Sequence, residues 1–408
     1  MDKKKKLLFV IPYLHCGGAE RVVTNISMGL SDEYDIDILV NSSNNVDYAY
    51  SGQLISLGID RFKKVDSVLF QVMALVKRTI KLIQLKKAGQ YAVCVSHLDS
   101  AHISNILSGN RYCKTVLTAH STMSENQKNW KYKLFIVPAV KWLYSKADVV
   151  VAVSKGIAVD FINNFRLSRE KIVTIYNGIN LEEIEQQKTE ELGAETQQFI
   201  AGGRVFCNVG RLDYPKAQWH LIRAFKKVHS NCKDARLLIV GDGDYRSYLE
   251  TIIRGSNLEE VVKLVGFQTN PFKFLANSDI FVFPSMFEGF PNSPVEALAL
   301  GLPVITTDFH NGAREILTPE TSVETDWIKE IEVTDYGYMV PLCDGRKYSA
   351  GDELTHEEGL LAEAMLKTIM DVDNEKYSSD YHERAKERAQ FFSLDSMVEG
   401  WKKLINEI

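Results

Sequence analysis

The six cysteines of this 408-residue chain include no C-x-x-C pair. Cys16, Cys94, Cys113, Cys207, Cys232 and Cys343 are scattered, which suits reduced thiols in a cytosol and disfavours a disulfide framework or a zinc site. No uninterrupted apolar run approaches the roughly 18 residues that a membrane span needs. The opening, Met1-Asp2 and four lysines before Leu7–Ile11, runs into Gly17-Gly18-Ala19-Glu20-Arg21. That is no small-residue cleavage site, so the segment reads as a first strand and not a signal peptide. There is no G-x-G-x-x-G either. Gly241-Asp242-Gly243 comes closest, but Arg246 stands where the third glycine belongs, and dinucleotide oxidoreduction is disfavoured.

What remains is an ordinary globular composition, 45% hydrophobic and 25% charged. The length implies two domains of roughly 200 residues. The net charge of −5 is unevenly spread. Residues 1–200 carry 25 Lys and Arg against 20 Asp and Glu; taking these from the totals of 48 and 53 leaves 23 against 33. Up to Asn180 the balance is sharper, 24 basic against 14 acidic. A basic half beside an acidic one points to different partners, and an anionic surface is the candidate for the first.

The most informative stretch runs from Phe283 to Asp308. Asp279–Phe283 reads as a buried strand, Glu288–Asn292 as a Gly/Pro-punctuated loop, and Val304–Thr307 as a second buried strand. Between them the spacing predicts a helix with Ser293 as N-cap, Pro294 at its first position, Glu296 completing a capping box, and Gly301 as the stop. The loop then lies at the carboxyl end of its strand, the edge where open α/β sheets bind ligands. A helix N-terminus offers unpaired N–H groups to a phosphate. Two carboxylates eight residues apart, Glu288 and Glu296, suit the hydroxyls of a sugar nucleotide, although Glu296 has a sufficient local role in the capping box.

E-G-F-P-N-S-P-V-E-A-L-A-L-G-L-P-V-I resembles the E-x7-E segment of the retaining GT-B glycosyltransferases of family 4. That family has two facing Rossmann-like domains with a deep cleft between them. Further along the chain, Val209-Gly210-Arg211-Leu212 followed by Lys216 resembles the family's V-G-R-L-x-x-x-K-G, with Ala217 where the last glycine is usual. Val173–Asn180 resembles its V-x-x-I-x-N-G hallmark. The resemblance implies an α/β fold with an N-terminal acceptor-binding domain over 1–190 and a C-terminal nucleotide-sugar domain over 200–390. A last helix, 393–408, would return to the first domain. It implies His120 and Glu288 as catalytic residues at the donor sugar. It also implies donor and nucleotide contacts from Gly17, Gly18, Arg211, Lys216, Gly241, Phe267, Gly289, Phe290, Pro291, Asn292 and Glu296. Gly17 and Gly18 equally suit a tight β–α turn. A UDP-sugar is the expected donor and a lipid-linked glycan the expected acceptor. No metal or other cofactor is expected, two cations standing in a metal's place, and no nucleic-acid partner.

Two stretches of the first domain join cations to apolar or aromatic residues. One is a helix over 63–88, with Lys63, Lys64, Lys77, Arg78, Lys81, Lys86 and Lys87 around an apolar set. The other is Asn129–Phe135 continued by Lys141–Tyr144. Each can be a packed helix with a solvated rim, or a surface that rests on anionic lipid. Peripheral attachment to the inner face of the cell membrane is the expected location. Residues 182–200, rich in Glu and Gln, read as a solvated linker. An insert over 318–335 resembles that of capsule and O-antigen transferases using UDP-galactose or UDP-N-acetylhexosamine. A nucleotide-sugar epimerase, separable by products formed without acceptor, and a non-catalytic nucleotide-sugar binder are the alternatives.

Overall fold

The computed structural model describes residues 4–15, 17–44, 46–60, 68–124, 137–309 and 311–408. They form two compact units, one of residues 1–178 with 394–408, the other of residues 179–393.

The first unit alternates strand and helix: β1 (Lys5–Val10), α1 (Gly18–Leu30), β2 (Tyr34–Val40), β3 (Gln53–Ser56), α2 (Val68–Gly89), β4 (Tyr91–His97), α3 (Asp99–Leu107), β5 (Lys114–Ala119), α4 (Val137–Tyr144), β6 (Val149–Ala152), α5 (Lys155–Asn163) and β7 (Ile172–Thr174). The strands lie in the order β3-β2-β1-β4-β5-β6-β7, all parallel. Leu7–Val10 and Val149–Ala152 are buried throughout, the uniform apolarity of strands covered on both faces.

The second unit begins with α6 (Leu181–Gln187) and α7 (Ala194–Ile200). It continues through β8 (Arg204–Val209), α8 (Gln218–Asn231), β9 (Ala235–Val240), α9 (Arg246–Gly255), β10 (Val262–Gly266), α10 (Phe272–Ala276), β11 (Ile280–Phe283) and α11 (Asn292–Ala299). Then come β12 (Val304–Thr307), α12 (Ala313–Leu317), β13 (Glu332–Thr334), β14 (Gly337–Val340), α13 (His356–Asp373) and α14 (Ser379–Gln390). Its sheet runs β10-β9-β8-β11-β12-β14-β13, parallel except for the antiparallel β13. The order reverses between β8 and β11, a topological switch point. The last helix, α15 (Leu394–Glu407), belongs to the first unit, where it packs on α1 and buries Met397, Trp401 and Leu404.

Two expectations need correction. Residues 182–200 are not a solvated linker but carry α6 and α7, because Ile184 and Leu192 are buried between the charges. The Asn270 amide donates to the Gln187 carbonyl at 2.8 Å and ties this segment into the second unit. Residues 179–190 therefore fall outside the first unit. The 318–335 insert is tied into the second unit. Arg314, paired with Asp308 in the interior at 2.5 Å, donates to the carbonyls of Thr325 and Asp326, and β13 adds the insert's end to the sheet.

The other concerns α11. Its N-cap is Pro291, with no side-chain cap bond, so the Ser293–Glu296 capping box does not form. Phe290 is buried 5.1 Å from the Phe392 ring, and Pro291 lies so close to Gly312 that a Cβ there would meet its Cδ at 2.5 Å. This pinned loop opens the helix at Asn292, which carries Glu296 too far along the helix to reach back to Ser293. The helix end is as expected: Gly301 adopts φ +78°, and the N–H groups of Gly301 and Leu302 donate to the carbonyls of Leu298 and Ala297, a Schellman closure.

Candidate functional site

Charged groups of the second unit converge at the carboxyl edge of its sheet. Lys216, in the loop after β8, reaches the β11–α11 loop, and its Nζ lies 2.5 Å from Glu288 Oε1. The two side chains are only 19% and 14% exposed. Ser285 Oγ donates to the same carboxylate oxygen at 2.8 Å, and the Lys216 ammonium sits 4.9 Å above the Phe283 ring. Asn311 donates to the Glu288 carbonyl at 3.1 Å and fixes the loop's backbone. Ser285 lies in the same segment as Glu288, whereas Lys216 and Asn311 come from outside it and were not visible there.

Arg211 is placed differently. It is exposed and its Nε pairs with Asp213 at 2.8 Å. Burial pushes the Asp213 carboxyl above its ordinary range; Arg211 and Lys216 oppose the shift and Glu288 adds to it. Asp213 therefore links Arg211 electrostatically to the Lys216–Glu288 pair. The cluster holds two cations against two carboxylates, so an incoming anion has to compete with Glu288 for Lys216.

Gly241 has a structural role. It ends β9 with φ +146°, and a Cβ there would lie 2.0 Å from the Gly210 carbonyl oxygen. Its N–H donates to Gly266 at 2.9 Å, so three strand ends meet backbone to backbone. Phe267 follows as an exposed ring. Gly289, Phe290, Pro291 and Asn292 form the loop that enters α11. The Asn292 Oδ1 is buried with no hydrogen-bond partner among the described residues. Glu296 is buried on α11.

In the first unit, Gly17 caps α1 with extended backbone, and the Glu20 carboxylate occupies the space a Cβ would take. Space around Gly18 is open. His120 follows β5 and is hydrogen-bonded through Nε2 to Nδ1 of His97, the last residue of β4, at 2.9 Å. His102 on α3 meets Ser96 Oγ at 3.0 Å. Desolvation holds all three rings below the usual imidazole value, His120 to about 4 and His102 to about 3. Leu98, directly after His97, adopts φ +72°, ψ +147°, a region close to glycine-only space that costs about 1–3 kcal/mol. The residues that motif reading missed, His97 and His102, carried one usable signal. Two adjacent strand segments, Tyr91–His97 and Thr115–His120, both finish in histidine.

The structure departs from the packed-helix alternative for α2 with a fully solvated basic rim. Arg78 and Lys86 are buried. Arg78 donates to Asn41 Oδ1 at 2.8 Å and to the Ser100 carbonyl at 2.9 Å, while Lys86 donates to the carbonyls of Asn105 and Gly109 at the end of α3. Leu69, Val72, Val76, Ile80 and Ile83 are exposed instead, Leu69 to 80%, beside exposed Lys77 and Lys87. Their i, i+3, i+7, i+11, i+14 spacing makes one helical stripe. Trp142 on α4 is 61% exposed with the Lys146 ammonium 3.3 Å above its ring. Residues 63–67 and Asn129–Phe135 lie outside the described residues.

A family model described as Glycosyltransferase Family 4 matches residues 16–183, and one described as Glycosyl transferases group 1 matches 193–329. An uncharacterised glycosyltransferase of Methanocaldococcus jannaschii is 33% identical over 355 residues, which span 84% of this chain and 86% of that protein. The chain is a family 4 glycosyltransferase.

This glycosyltransferase is also 28% identical, over 95% of its length and 96% of the other's, to a Campylobacter jejuni protein. That protein is named N-acetylgalactosamine-N,N'-diacetylbacillosaminyl-diphospho-undecaprenol 4-alpha-N-acetylgalactosaminyltransferase. Anabaena HepE in complex with UDP superposes with a TM-score of 0.71 at 18% identity, over 99% of this chain and all of that one. A Rickettsia africae glycosyltransferase superposes at 0.72, with 17% identity and 99% and 98% coverage. The fold of the glycosyltransferase is GT-B. Among its described residues, no three His, Cys, Asp or Glu side chains cluster as a metal site. The sequence does hold the D-x-D spacings Asp35/Asp37, Asp242/Asp244 and Asp371/Asp373. In each a carboxylate already faces a protein cation, Lys6 on Asp37, Arg246 on Asp242, Lys376 on Asp371 and Arg204 on Asp373. No helix among the described residues is long and apolar enough to cross a membrane.

Proposed function

We propose that the protein is a retaining glycosyltransferase that moves a hexose or N-acetylhexosamine from a UDP-sugar to a lipid-linked glycan in bacterial cell-surface glycan synthesis. The observation that carries the reading is the Lys216–Glu288–Ser285 constellation at the mouth of α11. Cleavage of the C1–O bond drives negative charge onto the leaving diphosphate. Lys216, Arg211 and the amides opening α11 are donors set where that charge develops. When the diphosphate takes Lys216, Glu288 is released to orient the donor sugar through its hydroxyls and to offset oxocarbenium character. Glu296 holds the ribose hydroxyls, and His120 serves the reacting end of the donor.

Asp213, the carboxylate that interacts electrostatically with Glu288, is committed to Arg211. Front-face attack, with the leaving phosphate accepting the acceptor's proton, is therefore the proposed route to retention. The cation clamp takes a metal's place, so transfer should survive EDTA. The first unit meets an anionic bilayer through the α2 stripe, where apolar side chains enter the headgroup region and Lys77 and Lys87 face lipid phosphates. The lipid-linked acceptor named for the Campylobacter relative supports the membrane setting.

A screen of UDP- and GDP-sugars against lipid-diphosphate acceptors, read by mass and with the new anomer assigned by NMR, tests the reading. Donor turnover requiring an acceptor, with the anomeric configuration kept, is expected. Epimerised donor formed without acceptor would overturn it.

A further inference from the structure

The two histidines at the end of β4 and after β5 share one hydrogen bond, so one ring must donate and the other accept. His97 is fully buried, between Phe9 at 6.1 Å and Trp401 at 6.5 Å ring to ring. Its Nε2 is buried with no partner among the described residues. If the proton sat on Nε2, an N–H donor would be orphaned in an apolar wall. If it sits on Nδ1, the bare atom is only an acceptor lone pair, and an unpaired acceptor is the better-tolerated defect. His97 Nδ1–H therefore donates, and His120 Nε2 at 2.9 Å accepts.

We propose that His97 is a positioning residue for His120: its hydrogen bond fixes His120 as the Nδ1–H tautomer and aims that N–H, as a donor, away from the sheet edge. His120 is partly exposed and its Nδ1 has no hydrogen bond among the described residues. A neutral imidazole with one fixed N–H binds a sugar hydroxyl in one sense only. The strained Leu98 supports this. Its carbonyl accepts from the N–H groups of Ala101 and His102 at 3.0 Å each, so the turn that holds His97 in place is locked by the start of α3. The functional half rests on His120 meeting the donor; the tautomer does not.

The test begins with the full chain carrying 15N-histidine and no substrate. Long-range 1H–15N correlation is expected to show His120 and His97 both protonated on Nδ1 and bare on Nε2 near neutral pH. A His120 proton on Nε2 overturns the proposal, whatever the chain transfers. His97→Phe should then leave His120 as a tautomer mixture and lower kcat/KM about tenfold, the worth of one misaimed hydrogen bond. His97→Asn, whose amide N–H falls near the Nδ1 position, should restore the single tautomer and most of the rate. Added to His120→Ala, His97→Phe should cost nothing more; a multiplied loss would show that His97 acts elsewhere. If His97→Phe fails to fold, the native spectrum and His97→Asn still decide.

Discussion

The Lys216–Glu288 pair can be divided into its structural and chemical parts by neutralising first one end and then both. With Lys216→Met, Glu288 remains largely covered, holding only the Ser285 hydroxyl at 2.8 Å. Leaving a covered carboxylate without its cation costs about 3–5 kcal/mol when burial is complete. Here the two ends keep 19% and 14% exposure, so about 2–3 kcal/mol is the expectation. At roughly 2–4 °C per kcal/mol for a unit of this size, the second unit's transition should fall by about 4–12 °C. Adding Glu288→Gln removes the stranded charge and keeps an acceptor for Ser285. The double variant should recover to within about 1 kcal/mol of the parent. Transfer should not recover, because removing one preorganised charge from the developing diphosphate costs about 10²–10³ in rate. Calorimetry and a mass-read transfer assay on the same samples give both numbers. Recovery of rate along with melting temperature would refute the clamp and leave the pair a structural tie.

Glu375, exposed at φ +56°, takes the place after α13 that glycine usually fills, and the N–H groups of Glu375 and Lys376 close a Schellman turn on Val372 and Asp371. Glu375→Gly should therefore stabilise by up to about 1 kcal/mol, raising the denaturant midpoint at constant m-value. Burial lowers His120 to about 4 and His102 to about 3 from an ordinary 6.5, so the unfolded chain binds more protons in that window. Stability should decline as pH falls from about 6.5 towards 3–4, by about 1.4 kcal/mol per pH unit for each such ring; a flat denaturation midpoint between pH 7 and 4.5 would contradict the burial. For the membrane face, Val76→Glu with Ile80→Glu should abolish flotation with anionic vesicles at low and high salt alike. Lys77→Glu with Lys87→Glu should weaken it mainly at low salt, and flotation undiminished by the first pair would exclude the α2 stripe.

Where a largely apolar segment is bounded by Pro or a charged residue, the fold was legible. β11 and β12 lie where composition puts them, because strands covered on both faces have one readable pattern. The edge strands β3 and β13 were not legible, since Gln53–Ser56 and Glu332–Thr334 are half-exposed and carry no pattern of their own. Nor could composition reveal that Ile184 and Leu192 anchor a Glu-rich segment. The facing of α2 was misread for the opposite reason: Arg78 and Lys86 satisfy carbonyls inside the fold, which hydropathy counts as surface. In the site, residue types were readable and partners were not. Lys216 and Glu288 are 72 residues apart, and only the sheet order brings them together.

Ala217 shows how a departure from a motif is accommodated. It stands where glycine is usual after Lys216, and its backbone is left-handed, φ +50°, ψ +32°. That conformation costs an L-residue about 1–2 kcal/mol. Its Cβ, however, is wholly inside the second unit's core, and a buried methyl returns about 0.8 kcal/mol. Fixing alanine instead of glycine also spares about 0.4–1 kcal/mol of chain entropy. The terms cancel to within about 1 kcal/mol. The loop that carries Lys216 therefore keeps the glycine-type turn without the glycine, and the Lys216 side chain still reaches Glu288. Ala217→Gly should accordingly be near neutral for stability and for transfer, whereas Ala217→Val, whose β-branch crowds a left-handed backbone, should lose both.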